Sequence, residues 1–202
     1  MSIIAVERTS LEMEITLCEA CSLHATRTQA VPGTGPMPAP LMIVGEGPGA
    51  DEDARGEPFV GRSGQLLTAM LHAIHVDRTR VFITNVVKCR PPNNRDPRPE
   101  EGDACAPYLA RQIALVDPTI LVTLGLPATQ MILGTDVTRL TDLHGQWRTL
   151  GERLVLPMYH PAYLLHNPPA KPAAWADLKI LAARLEALGL FAAVAEPEGA
   201  PA

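Results

Sequence analysis

Residues 41–61 read LMIVGEGPGADEDARGEPFVG. The apolar run LMIV, set off upstream by the Gly/Pro punctuation of VPGTGPMPAP, reads as a central strand. A strand buried on both faces suits a parallel sheet. The glycines directly behind it let backbone come up against something small. An ordinary phosphate cradle does not fit, because the run has neither the GxGxxG order nor the GK[ST] of a P-loop, and Asp51, Glu52 and Asp53 would repel phosphate. Taken alone, Glu46 after a strand is as consistent with a helix cap as with chemistry.

Working outward, SLEMEITLCEACSLHATRTQ places Leu11, Ile15 and Leu17 at helical intervals and then runs into a CxxC, a short helix leading to a ligand loop. Downstream, residues 64–75 (GQLLTAMLHAIH) put Leu66, Leu67, Met70, Leu71 and Ile74 on one helical face, and VFITNVV is a second strand. The stretch KCRPPNNRDPR holds too much Pro and Asn for regular structure. A Glu pair then opens a helix through about Ala114, TILVTLG is a third strand, and LPATQMILG is a helix ending at Gly134. GQWRTLGERLVLPMYH is a hairpin leading into a fourth strand, and a last helix spans about Pro172 to Leu188. Strands alternating with helices imply an α/β fold, a three-layer α/β/α sandwich around a central, mostly parallel four-stranded sheet. Residues 1–190 are expected to form one domain and 191–202 a disordered tail. The ligand site belongs beyond the carboxyl ends of the strands, where GEGPGADED, TNVVKC and HPAYLL should share one pocket.

The chain has 202 residues, 47% of them hydrophobic, enough for one sizeable core. No stretch approaches the ~20 apolar residues of a membrane span, and Glu7, Arg8, Glu12 and Glu14 interrupt any signal-peptide block. A cytoplasmic monomer with no membrane partner is the expectation. Net charge is −5, so the composition does not advertise a nucleic-acid partner; a local basic strip would have to work against the overall field.

Four cysteines in a reducing compartment point to metal or cluster ligation rather than disulfides. Cys18 and Cys21 form the CxxC, and Cys89 and Cys105 complete a tetrathiolate set for which zinc and [4Fe-4S] are both admissible. Such a site would tie the first helix to the loop after the second strand. Lys88, Arg90, Arg95 and Arg98 on that loop read as a basic edge, or as a solvated loop. Individually, His160 before Pro161, Phe59 and Asn85 have ordinary readings as a structural histidine, a core ring and a turn residue.

Jointly, GEGPG with ED and PFVGRSGQLL, TNVVKCRPPNNR, MYHPAYLL and the four cysteines resemble the family 4 uracil-DNA glycosylases, the iron-sulfur members of their superfamily. The likeness runs from about Cys18 to Trp175. It implies excision of uracil from single- and double-stranded DNA, with free uracil and an abasic site as products, and a [4Fe-4S] cluster on Cys18, Cys21, Cys89 and Cys105, zinc being the alternative occupant. Glu46 would be the catalytic acidic residue and His160 the donor to uracil O2. Phe59 would stack on the base, Asn85 would read its edge, the Gly47 N–H would contact it, and Glu52 would shape the side where a thymine methyl would sit. Leu164 or Leu165 would be the wedge that fills the vacated stack. His166 stands where the family commonly has arginine, which puts a phosphate contact in doubt. The basic insert of the uracil-crosslinking branch is absent before His160, so turnover is expected rather than a covalent adduct. Two other classes stay open: a DNA- or uracil-binding module without chemistry, and a structural metal protein or partner of a DNA polymerase.

Overall fold

Two periodicities build the molecule, period two along the strands and 3.6 along the helices that cover them. The computed structural model describes residues 2–134, 136 and 138–191. Its strands are β1 (Leu41–Gly45), β2 (Phe82–Asn85), β3 (Ile120–Leu124), β4 (Arg148–Leu150) and β5 (Arg153–Met158). They lie in the order β2-β1-β3-β5-β4, all parallel except β4, which runs antiparallel to β5 at the edge. The sheet thus has five strands where four are expected. The added strand is the first arm of the anticipated hairpin, too short and too exposed to show a strand's apolar alternation.

The helices are α1 (Ile3–Leu17), α2 (Ala50–Arg55), α3 (Arg62–Ala73), α4 (Pro99–Val116), α5 (Leu126–Leu133), α6 (Pro161–His166) and α7 (Lys171–Ala187). Alternation along β1 sorts them into layers. Leu41 and Ile43 share a core with Leu67 and Leu71 of α3, Leu164 of α6 and Leu181 of α7. Met42 and Val44 share the other with Leu109 of α4 and Ala128 of α5. Each fully buried Leu or Ile contributes roughly 1.5–3 kcal/mol, so the sheet is clamped from both sides and its strand ends are fixed platforms. The α/β/α sandwich is as expected.

Outside α4, α1 packs through Leu11 and Ile15 against Tyr108 and Leu115. Leu17, expected on that face, is 71% exposed. It lies two residues past Ile15, and positions i and i+2 do not face the same side of a helix. Phe191, assigned to the tail, is 9% exposed, joins the core and carries the Arg80 guanidinium over its ring at 4.7 Å. The remaining tail residues, 192–202, lie outside the described residues.

β2 lies on one side of β1 and β3 on the other, so the connections leaving their carboxyl ends diverge and open a crevice. Glu46 follows β1, Asn85 ends β2, and His160 stands just past β5.

Candidate active site

At that crevice lies a cleft of about 530 Å³ whose lining includes Glu46, Gly47, Glu52, Phe59, Asn85 and His160. All six residues assigned to base recognition and chemistry therefore meet in one place, as the three-loop argument requires.

Asn85 forms the floor. It pairs in register with Gly45 and is 2% exposed, yet its side-chain Oδ1 has no hydrogen-bond partner. Buried polar atoms are almost always paired, so an orphaned one facing a cleft is an acceptor waiting for a donor. Phe59 stands beside it in the left-handed region, φ 55°, and is buried. A β-carbon on Gly45 would run into both the Asn85 amide and the Phe59 ring. A β-carbon on Gly64 would strike the Phe59 backbone. These two glycines let strand, ring and helix α3 close on one small volume.

Two of the acidic side chains in the opening loop are structural. The Glu52 carboxylate accepts from the backbone N–H groups of Gly49 (3.1 Å), Val60 (2.9 Å) and Gly61 (2.9 Å). It pins the Phe59 loop to the start of α2. Asp53 is buried and accepts from Thr28 N–H. Glu46 has no such use: burial, reinforced by the negative charge of Asp96, pushes its carboxyl up to about 7. Asp96 also lines the cleft. Its only signal in the sequence is that of an acid in the polar loop after β2.

His160 caps α6, its Nδ1 accepting from Ala162 N–H at 3.1 Å. Burial pulls the ring down to about 4. The imidazole is thus neutral near pH 7 with its proton on Nε2, a donor without charge. Its ring lies 5.6 Å from that of Phe59.

The two wedge candidates separate. Leu164 is 2% exposed and packs in the core, whereas Leu165 is half-buried. His166 is exposed at the end of α6.

The four cysteines gather at the loop that follows β2. Cys18 ends α1, Cys21 opens the next turn, Cys89 follows β2 and Cys105 lies in α4. They line one small cavity with Arg27 and Lys88. The Arg27 guanidinium donates to Cys89 Sγ at 3.0 Å. Burial pushes the Cys89 thiol up and the Cys105 thiol to about 11. Among the described residues, no three His, Cys, Asp or Glu side chains converge as a single-ion site requires.

Lys88 does not belong to a basic edge. It is 1% exposed, and its ammonium donates to Thr84 Oγ1 (2.8 Å), Asn85 O (2.5 Å) and Gln112 Oε1 (2.7 Å). It sits between the cysteine cavity and the backbone of Asn85. Arg95 lines the cleft but is clamped by Glu101, which accepts from its guanidinium at 2.8 and 2.7 Å and is held at about 2. Ser22, beside the CxxC, donates to the same carboxylate. The loop over the cleft is therefore anchored to the cysteine-bearing segment.

The profile of the uracil DNA glycosylase superfamily matches residues 32–179. A type-4 uracil-DNA glycosylase of Sulfurisphaera tokodaii is 46% identical over 177 residues, 84% of this chain and 80% of that protein. The chain belongs to the type-4 uracil-DNA glycosylases. Type-4 enzymes of Pyrobaculum aerophilum and Archaeoglobus fulgidus are 48% and 44% identical, over 80% and 82% of this chain and 86% and 87% of theirs. The matched residues include β1, β2 and β5, the strands that lead into the three cleft loops, and two of the four cysteines, Cys89 and Cys105.

Proposed function

We infer that this chain hydrolyses the N-glycosidic bond of deoxyuridine in DNA, single- or double-stranded, releasing uracil and leaving an abasic site. The observation that carries it is the unpaired Asn85 Oδ1 beside the Phe59 ring, an edge-reader and a stacking face in one buried corner. The nucleotide must leave its stack to enter such a corner. Phe59 covers one face of the ring, Asn85 Oδ1 accepts from N3–H, and its amide donates to O4. Cytosine offers the reverse pattern and is refused, because its groups and those of Asn85 would be left unpaired.

The bond that breaks joins N1 to C1′. As it lengthens, negative charge grows on uracil O2, where the neutral Nε2–H of His160 donates. Positive charge grows on the sugar, where the Glu46 carboxylate stabilises it and orients the water whose oxygen forms the new bond to C1′. Gly47 lets its N–H approach the base, and Glu52 holds the wall behind Phe59. Leu165 is the remaining leucine for the wedge. A monomer working in the cytoplasm is the matching expectation.

Cys18, Cys21, Cys89 and Cys105 fit a [4Fe-4S] cluster. They line one shared cavity, and the Arg27 guanidinium that donates to Cys89 Sγ would offset part of the negative charge of a cluster carrying four thiolates. When bound, the cluster supplies a structural tie between α1, α4 and the loop over the cleft, with no redox step. Cys89→Ser is expected to lose the brown absorbance and lower the melting temperature; a brown, equally stable and fully active variant would refute the assignment.

The activity is tested with a labelled oligonucleotide carrying one deoxyuridine, treated with alkali after incubation, beside a deoxycytidine control. A break only at uracil is expected. No break from protein that binds the oligonucleotide would leave a base-binding module without chemistry.

A further inference from the structure

Among the described residues, most large exposed apolar side chains lie on α1, where Ile3, Val6, Met13 and Leu17 face outward. Only Tyr163 from that exposed set lines the cleft. It is 46% exposed, on α6, one turn beyond His160. Its ring stacks on that of Tyr159, centroids 5.4 Å apart at 20°. Tyr159 packs in turn on His144 at 4.4 Å. His144 is tethered through Nδ1 to both oxygens of the buried Asp177, at 3.1 and 2.9 Å. The Asn167 amide donates to the Tyr163 hydroxyl at 2.5 Å. A ladder of three rings thus runs from the core to the rim and holds its last member still.

We propose that Tyr163 is a stacking platform for the base next to the flipped uracil, and that it makes single-stranded DNA a favoured substrate. The proposal rests on the glycosylase reading of the cleft. Flipping a nucleotide deprives its neighbour of a stacking partner. In a duplex the opposite strand still holds that neighbour, but in a single strand only the stacking on its other side remains. An aromatic face contributes about 1–3 kcal/mol per stacked base, roughly 5- to 150-fold in affinity. A ring already immobilised loses little entropy on binding. Arg62, also at the rim, provides positive charge for the strand's backbone.

The test compares Tyr163→Ala and Tyr163→Trp with wild type on one uracil oligonucleotide, free and annealed. The alanine variant is expected to raise KM on the single strand about tenfold or more, with kcat nearly kept and a smaller change on the duplex; tryptophan is expected to restore KM. A second readout uses binding alone: single strands with 2-aminopurine on either side of uracil, bound to Glu46→Gln protein. One side is expected to be quenched with Tyr163 and to brighten with alanine. Equal KM values, or a larger loss on the duplex, would overturn the platform, the latter making Tyr163 the wedge. Wild type that cuts neither strand would overturn the glycosylase reading, while the fluorescence would still decide the platform.

Discussion

Replacing Asn85 with aspartate is expected to lower kcat/KM for uracil by about a hundredfold or more, with the fold intact by circular dichroism. The substitution is isosteric, so the carboxylate keeps an acceptor toward N3–H. It turns the donor that faces O4 into a second acceptor, and two acceptors then oppose each other in a buried corner. Leaving a buried polar group unpaired costs about 1–3 kcal/mol, and more when it is charged. The corner cannot relax easily. The Lys88 ammonium holds the Asn85 carbonyl, and the pairing with Gly45 fixes the strand. Cytosine presents a donor where uracil presents O4, so the ratio of uracil to cytosine excision should narrow. Paired oligonucleotides measure both rates at once, and an unchanged uracil rate would remove Asn85 from base reading.

Much of this was legible in the chain because each site residue sits next to a strand that announces itself. LMIV, VFIT and TILVTL are buried on both faces, so their apolar runs mark the strand ends, and the polar residues that follow must converge. What stayed hidden depends on distances across the fold. Lys88 sits among Arg90, Arg95 and Arg98 in the sequence, and nothing local says that its neighbours in space are Thr84 and Gln112, which draw its ammonium inside. Glu52 and Asp53 read as repellent charge because their backbone partners, Val60 and Thr28, come from other turns. Tyr163 gave no signal, since the rings beneath it come from Tyr159 and from His144 in a distant loop. β4 escaped counting for the opposite reason: its pairing with β5 rests on backbone alone.

Excision should rise with pH along a single limb centred near 7, because Glu46 acts as a carboxylate and burial, with Asp96 second, pushes its folded pKa up to about 7. His160 cannot supply that limb, since burial holds its ring at about 4 and it stays neutral across the range. Glu46→Gln is expected to lower the single-turnover rate by roughly 10²–10⁴-fold and to erase the limb. Asp96→Asn should move the midpoint downward, though not to the ordinary carboxyl range, because burial is the larger cause. The same shift has a stability sign. A carboxyl whose pKa is higher folded than unfolded binds more protons in the native state between about 4.5 and 7. Native stability is therefore lost as pH rises through that window. Glu46→Gln should accordingly melt higher than wild type at pH 8 and nearly the same at pH 4. Slower chemistry with higher stability in one variant is what a residue strained for function should show. If the limb near 7 persists in Glu46→Gln, it belongs to another group; if the variant melts lower at pH 8, Glu46 is holding the fold rather than the transition state.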